Sequence, residues 1–134
     1  MIFSTRDAQV WIPADGFSNC HLPAPVGKDE RFVGIERGLV HSRAAAQAQH
    51  NALIAAHLAT ARQRGMVSHQ AYFRLAAPGT PESLEIFLVD MWMSGSGMYE
   101  HYSDPAFLRS FDGLFTAPPD ASTWKQPTGA WTEW

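Results

Sequence analysis

Apolar residues recur along this chain in two alternating periods, and the switches between them mark out its elements. Phe32 to Val40 has the β-branched and aromatic content of a strand, with Gly34 and Gly38 marking a bulge or a close backbone approach. Ser42 then offers a helix N-cap, and Arg43 to Arg64 is rich in Ala, Gln and Leu until Gly65 closes it as a C-cap. The inward stripe of this helix runs Ala46, His50, Leu53, Ile54, His57, Leu58, Ala61, the spacing of one buried face. Period two returns from Met66 to Ala76, placing Val67, His69, Ala71, Phe73 and Leu75 on one side and Ser68, Gln70, Tyr72 and Arg74 on the other. Pro78-Gly79-Thr80-Pro81 is a turn. Leu84 to Met93 returns as a third strand with Leu84, Ile86, Leu88, Asp90 and Trp92 on one face and Phe87, Val89, Met91 and Met93 on the other. A helical turn carrying Met98, His101 and Tyr102 follows. Asp104-Pro105 caps and opens a second helix whose positions Phe107, Leu108, Phe111, Leu114 and Phe115 keep helical spacing as far as Pro118-Pro119. Ala121 to Gln126 is the last strand.

Ahead of these elements Pro13, Gly16, Pro23, Pro25 and Gly27 punctuate the chain too often for a long regular element. Residues 1–31 therefore read as an ordered arm, in which Val10-Trp11-Ile12 adds a short edge strand and the bulky Phe3, Trp11 and Phe17 pack on the rest. A single domain is expected: the arm, a core over 32–126, and a C-terminal tail over 127–134 made aromatic by Trp131 and Trp134. Strand, helix, strand, strand, helix, strand is the order of a ferredoxin-like α+β sandwich. Both faces of the third strand are largely apolar, so a second sheet is expected over the face that the helices leave bare, and self-association would supply it.

Composition agrees with one packed core. The chain has 134 residues, 46% of them apolar and 17% charged. The net charge is -3 and the basic residues are scattered singly, which argues against a nucleic-acid partner. Cys20 stands alone, so no disulfide forms within the chain and a reducing compartment, the cytoplasm, is the expected location. No run approaches the length of a membrane span, and no membrane partner is expected.

Candidate chemistry centres on histidine. With the hairpin turn centred between Gly79 and Thr80, His69 lies opposite Asp90 on the helix-facing side. A carboxylate beside a buried imidazole orients it and raises its basicity, as in a general base; the same pair also occurs as a satisfied structural contact. His50 and His57 are two helical turns apart, too far for both to hold one metal. His50 with His69 and Asp90 would supply two imidazoles and a carboxylate, a ligand set for non-haem iron, although no His-x-x-x-His or cysteine pair supports a metal. Tyr72, Trp92, Tyr99, His101 and Tyr102 offer stacking faces and polar tips to a flat aromatic ligand, or ordinary packing. Ser94-Gly-Ser-Gly97 is a turn rather than a phosphate loop, and Cys20 has no basic partner near it in sequence.

The stretch Phe87-Leu-Val-Asp-Met-Trp92, then Met98-Tyr-Glu-His101-Tyr-Ser-Asp-Pro-Ala-Phe107 and Phe111, resembles the signature of dimeric α/β-barrel proteins of the antibiotic-biosynthesis-monooxygenase type. The resemblance covers about residues 32 to 126. It implies a homodimeric α/β barrel closed across a two-fold axis, and an activity such as oxygenation of a small aromatic or polyketide-like molecule without a cofactor. Of the site residues only His101 and Trp92 carry over directly, and the arm before residue 32 lies outside the pattern. On this reading His69, held by Asp90, is the base, His50 and His101 are further polar contacts with Tyr102 beside them, and Trp92 and Tyr72 are walls. Three other readings remain: a non-catalytic small-ligand or haem-binding module, a metal-dependent enzyme using His50, His69 and Asp90, and a purely structural dimer.

Overall fold

The structure, a computed structural model, describes residues 9–22, 31–111 and 113–127. Its elements are β1 (Trp11–Pro13), β2 (Cys20–His21), β3 (Phe32–Leu39), α1 (Arg43–Gln63), β4 (Met66–Arg74), β5 (Glu85–Trp92), α2 (Gly95–Tyr102), α3 (Pro105–Phe111) and β6 (Asp120–Lys125). The main sheet runs β1-β4-β5-β3-β6, with β2 paired to the other end of β4. All pairings are antiparallel, so β3 and β4 run parallel on either side of β5, while β5 and β6 run parallel on either side of β3. These two interlocked β-α-β units make the ferredoxin-like fold expected from the element order.

Local chemistry sets the element ends. Ser42 accepts from the Ala45 amide at the start of α1, and Gly65, at φ 106°, turns the chain straight into β4. Ser94 caps α2 in the same way through the Gly97 amide. The first helix buries Ala46, His50, Leu53 and Ala61, with Ile54, His57 and Leu58 half-buried beside them. Asp104 caps α3 through the Ala106 amide.

Two readings of the sequence need correction. A register shift between Met66 and Ser68 lets Met66, not Val67, share the inner face with His69, and Leu75 lies beyond the strand end with half its surface exposed. The last helix stops at Phe111 rather than continuing through Phe115. Gly113 at φ 84° breaks it, and Leu114 and Phe115 reach the core from the irregular segment that follows, while Leu108 stays exposed.

One core cluster gathers Phe17, Val40, Phe73, Ile86, Leu88, Leu114 and Phe115; a second gathers Cys20, Ala61, Met66, Trp92 and Met98. Residues 9–22 of the arm are thus part of the fold. Its β1 and β2 cover the edge of β4, Trp11 packs on Phe87, and Phe17 stands edge-on to Phe73 at 5.3 Å. Phe3, Trp131 and Trp134 lie outside the described residues. Phe17→Ala is expected to lower unfolding stability by about 3 kcal/mol in urea titration, the cost of emptying a core aromatic site. A loss below about 1 kcal/mol would show that the arm only rests on the surface.

Candidate active site

A single row of paired residues crosses the sheet: Cys20, His69, Asp90, Gly34 and Thr123, from β2 through β4, β5 and β3 to β6. Asp90 is its polar centre. Its Oδ1 lies 2.5 Å from His69 Nδ1, and its Oδ2 accepts from the Tyr102 hydroxyl at 2.7 Å. Tyr102 reaches it only because Gly34 has no side chain, since a Cβ there would collide with the tyrosine ring and hydroxyl. The Trp92 indole N–H donates to the same hydroxyl at 3.2 Å. Burial, reinforced by the Asp90 charge, pushes the Tyr102 hydroxyl far above its ordinary pKa, so it stays a neutral donor.

On the other side of His69 the network continues into α1 and the arm. His69 Nε2 lies 2.8 Å from His50 Nε2, and His50 Nδ1 lies 3.1 Å from Asn51 Oδ1. Asn51 is oriented by the arm: its Oδ1 accepts from the Ser18 amide at 2.7 Å and its Nδ2 donates to the Gly16 carbonyl at 2.9 Å. An oxygen so placed can only accept, so His50 carries its proton on Nδ1 and presents a bare Nε2. His69 must then donate through Nε2. On its other side His69 meets Asp90 through Nδ1, so the imidazole is held at both nitrogens.

This network borders a cavity of about 30 Å³, water-sized, walled by apolar side chains of α1 and α3 and by Glu36, His50, His69, Asp90 and His101. Phe107 and Phe111, stacked at 5.4 Å, stand between it and an open groove beside Tyr99, Tyr102 and β6. His101 packs against Phe107 at 4.3 Å and meets Arg64, which also pairs with Glu100 and Asp104 and so ties the end of α1 to α2 and α3. Burial lowers both His50 and His101 to a pKa of about 4, leaving them neutral near pH 7.

No family model and no curated protein sequence matches the chain. Among solved structures, Rv0793 from Mycobacterium tuberculosis is 21% identical, with 75% of this chain and 98% of that one covered at a TM-score of 0.50. SnoaB, a cofactor-independent oxygenase from Streptomyces nogalater, is 17% identical over 75% of this chain and 95% of its own, at 0.48. A dimeric ferredoxin-like protein from an uncultured marine organism is 13% identical over 73% and 94%, at 0.46. The chain has the ferredoxin-like fold. At these identities the likeness is one of fold.

Within this ferredoxin-like frame the structure joins His50, His69, Asp90 and Tyr102 in one network and sets His101 on the cavity wall. Trp92 is fully buried beneath the site as a donor to Tyr102 and does not line the cavity. Tyr72 requires correction: it points to the opposite face of the sheet and packs on Phe87, so it is no wall of this cavity. Tyr99 is exposed on the groove. Metal-ligand geometry is not formed by the histidines. His50, His69 and Asp90 are linked in series, and among the described residues no three His, Cys, Asp or Glu side chains converge on a point. Cys20 is buried next to His69 on the paired strand, and burial raises its thiol pKa.

Sequence reasoning missed Glu36. It lies on the inner face of β3 between Gly34 and Gly38, it is 7% exposed, and it lines both the cavity and the groove. Burial, and then the nearby Asp90 charge, raise its pKa well above the ordinary carboxyl value. The available signal was a charged residue in phase with two glycines inside a strand; the apolar alternation of Val33 and Ile35 pointed to the other face.

These shifts give stability a definite pH dependence. Between about pH 4.5 and 6.5 the unfolded chain protonates His50 and His101 while the folded chain does not, and the folded chain alone keeps the Glu36 proton. The histidines make stability rise with pH, and Glu36 opposes them by one proton. Unfolding free energy should therefore increase with pH across this window, and Glu36→Gln should steepen that slope in denaturant titrations at several pH values. An unchanged slope in the variant would mean that Glu36 is ionised in the fold.

Proposed function

We propose that this chain forms a homodimeric, cofactor-independent oxygenase or a related enzyme that removes a proton from a small aromatic or polyketide-like molecule. The observation that carries this reading is the buried His69–Asp90 pair at 2.5 Å on the wall of a cavity between helices and sheet. Asp90 takes the Nδ1 side of the imidazole, so Nε2 is the nitrogen left to receive a substrate proton. His50 covers that nitrogen at rest. Loss of the His69 Nε2 proton removes the hydrogen bond between the two imidazoles, because Asn51 holds the His50 proton on the far nitrogen. The freed Nε2 then faces the incoming ligand. A C–H proton passes to His69 and its electron pair stays on the substrate as a carbanion, which dioxygen oxidises. For a methylene carbon the balance is CH2 + O2 → C=O + H2O, with one oxygen atom in the product and one in water.

The cavity is water-sized, so entry requires the Phe107 and Phe111 rings to move aside from the groove. His101 supplies a neutral polar contact inside, and Tyr102 keeps Asp90 in place from the groove side. His69→Ala and Asp90→Asn are each expected to lower turnover of a methylene-containing aromatic ketone by about 100-fold or more, the usual contribution of a positioned base. Oxygen uptake is the readout. Full activity of a folded His69→Ala protein would end the assignment and leave the pair as a polar core contact.

The dimer is supported by the outer face of the sheet. Val33, Ile35, Val67, Phe87 and Val89 lie there half-buried, Met91 is exposed, and no helix packs over them among the described residues. Sedimentation velocity is expected to give the mass of two chains, and Val89→Glu at the centre of this face should convert it to one. A wild-type protein that sediments as a monomer would exclude the barrel.

A further inference from the structure

Glu36 is the one buried acid of the cavity that the base reading leaves unused. Two residues along β3 from Gly34, it sits one row away from Asp90 and opposite Leu88. Asp90 is saturated by His69 and Tyr102, whereas Glu36 has no hydrogen bond or ion pair among the described residues. A carboxyl so deeply buried normally finds a partner, because leaving water without one is costly. No buried side-chain oxygen or nitrogen of the described residues is sealed off without a partner, so the Glu36 carboxyl opens on the space that it lines. That space is the junction of the cavity and the groove, which Glu36 shares with Phe107 and Phe111.

We infer that Glu36 is the group that recognises an oxygen atom of the ligand, donating a hydrogen bond from its neutral carboxyl to a carbonyl or enolate oxygen while the adjoining C–H faces His69. The ligand class is then an aryl ketone with hydrogen on the carbon next to the carbonyl. This inference rests on the base reading above and adds to it a determinant of specificity. The flat hydrocarbon part meets Phe107 and Phe111, and the ketone oxygen meets the Glu36 carboxyl. A carboxylic acid supplies one proton to such a bond, and a developing enolate charge strengthens it. Burial, which raises the Glu36 pKa, favours that proton.

The test compares two probes of one shape, 1-tetralone and tetralin, which differ by the ketone oxygen. Binding is followed by tryptophan fluorescence at neutral pH, and deuterium incorporation at the carbon beside the tetralone carbonyl is followed by NMR. The wild-type protein should bind tetralone about tenfold more tightly than tetralin, the worth of one hydrogen bond in a dry site. Glu36→Leu should bring that ratio to about one while tetralin still binds, and Glu36→Gln, which keeps an N–H donor, should retain most of it. His69→Ala should keep the ratio and lose the exchange. If the ratio is absent in the wild type, if neither probe binds, or if a folded Glu36→Leu keeps the ratio, the role of Glu36 is overturned. Exchange that persists in His69→Ala, with the ratio behaving as expected, overturns the base and leaves Glu36 standing.

Discussion

A carboxylate at the centre of an apolar sheet face is the constraint to which the rest of this structure answers. Asp90 is buried between two layers, and an ionised carboxyl there is tolerable only with donors on both oxygens. The fold supplies them from different directions: His69 from the neighbouring strand and Tyr102 from the helix above. Each donor brings its own requirement. Tyr102 needs Gly34 beneath it, and α2 must sit close enough that Gly97 meets the Arg64 carbonyl at the end of α1. His69 needs the exact partner that β4 and β5 place across from Asp90. Losing any of these would leave a buried carboxyl oxygen without a partner, so the close approaches of helix and sheet belong to one demand.

The arm is drawn into the same arrangement. It protects the β4 edge, as an added strand would in any sheet, but Gly16 and Ser18 also orient Asn51, and Asn51 decides which nitrogen of His50 carries hydrogen. A segment outside the six-element ferredoxin-like pattern thereby sets the tautomer of the imidazole that meets the pair at its centre. The arm also puts Phe17 on the His50 ring at 5.1 Å, so that imidazole is fixed by packing as well as by hydrogen bonding. Position and protonation are controlled together.

Much of the fold was legible because it rests on short-range rules. A Ser cap, an alanine-rich run and a glycine stop define α1 within a residue, and a tight turn at Pro78–Thr80 fixes the β4–β5 register well enough to pair His69 with Asp90. What escaped depends on the chain meeting itself at a distance. The bulge at Met66 and the end of α3 at Gly113 are set by local backbone conformation that side-chain periodicity does not encode. Tyr72 was attractive as a polar aromatic near the site, yet strand alternation alone already sends it to the far face. The Tyr102 bond to Asp90 requires β3 to lie beside β5 with a glycine in the right row, and nothing near Tyr102 in sequence announces that.

Glu36 and Asp90 together make the strongest chemical argument in the molecule. They lie one row apart on the same face, and their surroundings differ. Asp90 is wrapped in donors and serves as the anchor of an imidazole. Glu36 has no hydrogen-bond donor among the described residues, and burial and the repulsion of Asp90 favour the neutral acid. Two like groups close together cannot easily both be charged, so the partnering of one settles the state of the other. A pure structural core has no use for the second carboxyl, since leucine would fill β3 there without the desolvation cost. An acid kept neutral beside an imidazole that can accept a proton, with one cavity touching both, is instead an arrangement suited to polarising an oxygen while the neighbouring carbon gives up its hydrogen.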